Sequence, residues 1–149
     1  MQQALQSTLN TVIDIQEKSL GKLAQPNDLN VAVTDGTQMV AMRFRNHATE
    51  QPPSLYCSQS AGITLNRKYP DHPDGKDGPH GAAKSGEKEG VDGHNPEAYK
   101  DSAEHGRHVI VASEPTTYKS NEWTLIEKNR AVLISGDDVK VVKVTYHCE

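Results

Sequence analysis

The residues best equipped for chemistry are concentrated in one part of the chain. His72, His80, His94, His105 and His108 are five of the seven histidines, and Asp71, Asp74, Asp77 and Asp92 are interspersed with them. Imidazole and carboxylate groups together are ligands for a divalent metal. The intervals of eight, 14, 11 and three residues match no ligand pattern, and the metal itself would have to order the segment. A solvated polar linker is the plainer reading. Cys57 and Cys148 are the two thiols. Cys57 lies near an expected strand end and could act as a nucleophile with a histidine as base. No helix N-terminus or fixed cation adjoins it in sequence to lower its pKa, and small buried thiols are common in cores. Cys148, one residue from the end of the sequence, is expected to be frayed.

Arg43 and Arg45 alternate along one expected strand and offer two guanidinium forks to a carboxylate or phosphate; a surface ion pair is the competing expectation. Trp123, the single Trp, sits between polar Ser120-Asn121-Glu122 and apolar residues. It is expected to anchor the last hairpin, with its N–H paired. Glycine-rich phosphate loops, HExxH, CxxC pairs and GxSxG are absent from the sequence. Spacing and composition therefore designate no catalytic residue, no substrate-binding residue, no metal ligand and no cofactor.

The element that must position these groups is Leu29 to Arg45, LNVAVTDGTQMVAMRFR. Two alternating runs flank Asp35-Gly36, which predicts a β-hairpin with a type I′ turn. Val40, Met42 and Phe44 share one face of its second strand, and Met39, Ala41, Arg43 and Arg45 share the other. Before it, Leu5, Leu9, Val12, Ile13 and Leu20 mark one side of a helix over residues 2 to 20, with Gly21 placed to end it. After it, Pro52-Pro53 excludes a central strand, Ser54 to Ser58 reads as a short strand, and Ala61 to Leu65 as another.

Residues 68–107 differ in kind. They hold seven of the 11 glycines, four of the eight prolines and 15 charged side chains, and no Leu, Ile, Met, Phe or Trp. Such a segment buries too little apolar surface to offset its ordering entropy, so a mobile polar insertion is expected. Then His108 to Ser113 reads as a buried strand. Trp123 to Ile126 and Ala131 to Ile134 come next, and a Ser135-Gly136-Asp137-Asp138 turn leads into Val139 to Tyr146. In that last strand Val139 and Val141, then Val142 and Val144, suggest a break in phase. The sum is a single α+β domain over residues 1–149 with one N-terminal helix and mostly antiparallel strands.

The chain has 149 residues, of which 34% are hydrophobic, with a formal charge of −4 and a pI near 6.0. That balance gives no sign of a nucleic-acid surface or a polybasic membrane patch. No apolar run reaches the ~20 residues of a membrane span, and MQQALQSTLN lacks the features of a signal peptide. A cytoplasmic location with reduced thiols is the default expectation.

LNVAVTDGTQMVAMRF followed by PPSLYCS, then HVIVASEPTT, Trp123 to Ile126 and AVLISGDDVKVV, resemble the C-terminal part of the class II glutamine amidotransferase-like family of N-terminal-nucleophile hydrolases. Within it the likeness is greatest to the amidotransferase-like subunits of fungal glutathione-degradation complexes. The resemblance implies part of a four-layer αββα sandwich and a cytosolic hydrolase of γ-glutamyl amide bonds that works through an N-terminal cysteine. It also implies a peptidase-like protein partner. The sequence departs from the family where the nucleophile belongs: residue 2 is Gln, so removing Met1 exposes no Cys. The family's nucleophile and substrate-binding elements lie in its N-terminal half, and these 149 residues match the family's C-terminal half. No catalytic residue is carried over. One helix would also leave an apolar sheet face or helix stripe uncovered. At about 25 cal/mol per Å² over several hundred Å², the missing burial is on the order of 10 kcal/mol, comparable with a domain's stability. The expectation is a supporting half completed by another segment or chain. A non-catalytic interaction module with a peptidase-like partner and a small unrelated α+β binding domain are the competing readings.

Overall fold

A computed structural model describes residues 1–64, 108–117 and 119–146. The insertion expected over 68–107, with His72, His80, His94 and His105, lies outside the described residues, as does Cys148. Helix α1 spans Gln2–Leu20. Gly21 ends it with φ of 52°, where any other residue would be strained. Strands β1 (Asp28–Thr34) and β2 (Gln38–Arg45) come next, then β3 (Tyr56–Ser58), the short helix α2 (Ala61–Thr64) and β4 (Ile110–Ala112). β5 (Thr124–Leu125), β6 (Arg130–Ser135) and β7 (Asp138–Lys143) complete the order. The chain divides into two compact units, Met1–Tyr56 with Leu125–Glu149, and Cys57–Thr124.

The first unit is α+β, a four-stranded sheet in the order β1-β2-β6-β7 with every neighbouring pair antiparallel. Helix α1 packs on one face through Leu9 and Ile13, which meet Val40, Met42, Phe44, Ala131 and Val144. The apolar alternation of β2 thus does what its period dictates. The core closes at Phe44, whose ring meets Tyr146 edge-on with centroids 5.0 Å apart. Two glutamines tie the flanks of α1 to the two ends of the sheet. The Gln6 carboxamide pairs with both backbone groups of Thr145, just past β7. Gln16 donates to the Gln25 carbonyl at 2.8 Å and accepts from Asn27, just before β1, at 2.5 Å. The helix nevertheless leaves an apolar stripe open: Val12 is 45% exposed, Ile15 58% and Leu20 49%.

Both hairpin turns obey one rule. Asp35 N–H donates to the Gln38 carbonyl, so the central residues are Gly36 and Thr37 and not Asp35-Gly36. Gly36 has a φ of 91° and Thr37 is not in the positive-φ region, which is the type II′ pattern and not the expected I′. Asp35 instead supplies a carboxylate that accepts from Thr37 N, Thr37 Oγ1 and Gln38 N at 2.8–2.9 Å. At the second hairpin Ser135 pairs with Asp138, and Gly136 has a φ of 54°.

Three further expectations are corrected. Residues 61 to 64 form α2, not a strand. Ser58 Oγ accepts from Ser60 N and Ala61 N at 3.2 and 2.9 Å, and this cap starts a helical turn. The strand after His108 is only Ile110–Ala112, and it is half-buried. β7 has no phase break: Val141 pairs with Val132 on one face and Val142 with Ala131 on the other, in continuous register. Both faces of that strand are apolar, which mimics a slip in a one-sided pattern.

The second unit carries most of a three-stranded sheet in the order β4-β3-β5. Within it Trp123 is buried, and its indole N–H donates to Thr117 Oγ1 at 2.9 Å. Thr64 Oγ1 is 2.5 Å from Glu122 Oε2. No helix among the described residues is long and apolar enough to cross a membrane.

Candidate functional site

Arg43 and Arg45 do point to the same side of β2, as alternation requires, but neither keeps a free fork for a ligand. Arg43 is only 5% exposed. Its Nε donates to the Pro53 carbonyl at 2.7 Å, its Nη2 to the Pro52 carbonyl at 2.7 Å and its Nη1 to the Ile126 carbonyl at 2.9 Å. A surface ion pair is the wrong description of this residue. It is a buried cation whose acceptors are backbone carbonyls, and Pro52-Pro53 suits the role because that stretch cannot join a sheet ladder. Arg45 is the ion pair of the two, bridging Asp28 at 2.7 Å and Glu50. Nη1 of Arg45 also reaches the Gln51 carbonyl at 3.3 Å.

A third cation, which sequence reasoning missed, completes the arrangement. Lys128 Nζ donates to the carbonyls of His47 and Glu50, the latter at 2.8 Å. Arg43, Arg45 and Lys128 together hold residues 47 to 53 by their carbonyl oxygens. Beside Lys128, Asn129 adopts a φ of 55°. Its Oδ1 accepts from Arg45 N at 2.9 Å and its carbonyl from Val144 N at 2.9 Å, so one residue finishes both β2 and the chain after β7. The signal available in sequence was the polar run Glu127-Lys128-Asn129-Arg130 between two apolar runs, with Asn the residue type that tolerates a left-handed backbone.

Cys57 is a free, half-buried thiol, and burial pushes its pKa up. A nucleophilic thiol needs the opposite shift, so Cys57 is suited to packing. His108, alone among the five clustered histidines in being described, lies against α2. A Cβ added at Gly62 would fall 2.1 Å from its Nε2, so the ring packs over a glycine. Among the described residues no three His, Cys, Asp or Glu side chains gather where they could hold a metal ion. One polar hollow runs along α1, lined by Gln2, Gln6, Asn10, Asp14, Lys143 and Thr145. Its most engaged member, Gln6, already pairs with Thr145.

Among the described residues the site is therefore a set of cations engaged by main-chain carbonyls and, at Arg45, by two carboxylates, an arrangement that braces residues 47 to 53. A scan against protein-family models finds no match, and neither does a search of the curated proteins or of the solved structures.

Proposed function

We propose that residues 1–149 are the supporting, non-catalytic portion of a class II glutamine amidotransferase-like hydrolase that cleaves γ-glutamyl amide bonds in cytoplasmic glutathione catabolism. The nucleophile-bearing portion comes from outside these 149 residues. The observation that carries this reading is where the resembling blocks fall. LNVAVTDGTQMVAMRF forms β1 and β2, AVLISGDDVKVV forms β6 and β7, and β2 pairs with β6 across some 90 residues of sequence. Stretches that resemble one family at distant positions are thus neighbours in one sheet. In this reading α1 and the four-stranded sheet are two of the four layers of an αββα sandwich. A peptidase-like protein is the partner through which the assembly acts on a glutathione-derived substrate. The engaged state of Arg43, Arg45 and Lys128 and the raised pKa of Cys57 fit a bracing role.

The test combines glutamate release with a thiol-directed glutamine analogue, applied to the assembly isolated from its native source and to the 149-residue chain alone. Release by the assembly only, with the label outside residues 1–149, is the expected result. Label on Cys57, or no release by the assembly, would overturn the reading.

A further inference from the structure

The outer side of β1 is built unlike a protected sheet edge. Its seven residues, DLNVAVT, hold no Pro and no Lys, and the register with β2 runs from Asp28↔Arg45 to Thr34↔Met39 without a bulge. Proteins ordinarily blunt such edges with charge, proline or a bulge. The single charged side chain, Asp28, is already paired to Arg45 at 2.7 Å.

The backbone phase says which groups are on offer. Asp35 pairs with Gln38 through an inward hydrogen bond, and inward groups recur every second residue, at Val33, Val31 and Leu29. The N–H and C=O groups of Asp28, Asn30, Ala32 and Thr34 therefore face out. Among the described residues no strand pairs with them.

The face above this edge is also open. Val12, Ile15, Gln16, Ser19, Leu20 and Asn27 line a hollow of about 400 Å³, and Asn27 immediately precedes β1, so this flank of α1 overlooks the β1 edge. It is apolar, with Val12 and Ile15 about half exposed, and Val33 on the same sheet face is 38% exposed. The opposite flank overlooks β7 and is polar, lined by Gln6, Asn10, Asp14 and Lys143. β7 itself carries Asp138, Lys140 and Lys143.

We propose that β1 is a self-association edge at which a second copy of this chain pairs β1 to β1, antiparallel and centred on Val31. The register is self-complementary. Val31 meets the second copy's Val31 and Leu29 meets its Val33 on the helix-covered face. Asn30 meets its Ala32, and Asp28 its Thr34, through the outward backbone groups. No like charges meet at any of the seven positions, and no side-chain polarity changes face. A two-fold axis through Val31 carries α1 of both copies onto one face of an eight-stranded sheet, with Val12 and Ile15 of each turned toward the seam. An apolar flank above an unblunted edge is the combination a strand-adding partner covers, and the two-residue alternation of DLNVAVT, which maps onto itself about Val31, fits a second copy. The inference is independent of the proposed catalytic assembly.

The test is sedimentation velocity of the full chain under reducing conditions, which exclude a disulfide dimer. Concentrations run from about 1 μM to about 200 μM, bracketing a micromolar dissociation constant. The mass should rise from 16.3 kDa toward twice that value. Ala32→Pro removes an outward N–H while leaving the ladder to β2 intact, and Val33→Lys places a charge against the second copy's Leu29. Each should weaken association at least about tenfold, with the circular dichroism of the monomer unchanged. Val141→Lys, on the exposed side of the opposite edge, should leave association as it was. A monomer at every concentration overturns the proposal. So does a dimer that survives both β1 substitutions or yields only to Val141→Lys.

Discussion

The Arg43 guanidinium donates to the Ile126 carbonyl at 2.9 Å, joining β2 to a residue 83 positions further along the chain. Its other two contacts, to Pro52 and Pro53, are shorter still, at 2.7 Å each. A planar fork satisfies three separated carbonyls at once, whereas an ammonium group is a compact point charge. Arg43→Lys should therefore cost about 2 kcal/mol and Arg43→Met about 3 kcal/mol, because buried acceptors are left unmet. Urea unfolding monitored by circular dichroism checks this. Losses below about 0.5 kcal/mol for both would mean water replaces the guanidinium without penalty.

Phe44 is fully buried between α1 and the sheet, with Tyr146 edge-on to it. Phe44→Ala removes a ring from a packed core and should cost about 4 kcal/mol. Tyr146→Phe keeps the ring pair and should cost under about 1 kcal/mol. Comparable losses from the two substitutions would place the energy in the tyrosine hydroxyl and not in the packing.

Much of the first unit was legible in the sequence because its faces are covered differently. Val40, Met42 and Phe44 alternate cleanly since α1 lies on their side, and Gly21 marks the end of α1 because only a positive φ stops it there. The pattern is ambiguous where the two faces of an element are alike. Val141 and Val142 are both apolar because each face of β7 meets an apolar strand neighbour. Ala61 to Leu65 is too short a run for period to decide, and the capping Ser58 was the overlooked sign of a helix. Arg43 looked like a surface charge because three carbonyl acceptors leave no trace in a side-chain pattern. The two cations that the sequence placed on one strand face have opposite fates, and only the fold of residues 47 to 53 separates them.

Asp35 offers a pH dependence whose sign follows from its hydrogen bonds. Its carboxylate accepts from Thr37 N first, then Gln38 N and Thr37 Oγ1, and these bonds hold its pKa below the ordinary 3.8. A depressed carboxylate pKa adds stability above the unfolded value, and that stability is lost as pH falls through the folded one. Asp35→Asn keeps an acceptor without the charge. The unfolding midpoint of the wild-type chain should exceed that of Asp35→Asn at about pH 6, and the gap should close below about pH 3. A gap that widens toward acid would contradict this assignment.

Cys57 should be a slow thiol. Burial raises its pKa, so at neutral pH less of it is thiolate than in an exposed cysteine. Iodoacetamide labelling, mapped to Cys57 by mass spectrometry, should be at least about tenfold slower in the folded chain than in urea. Equal rates would mean the site is open to solvent and available for chemistry.

The proposed supporting role is tested most directly by glutamate release from glutamine and γ-glutamyl dipeptides, measured in parallel on the 149-residue chain and on the assembly from its native source. No release by the chain and thiol-dependent release by the assembly is the expected pair of results. Release by the isolated chain, or an assembly that releases none, would contradict it.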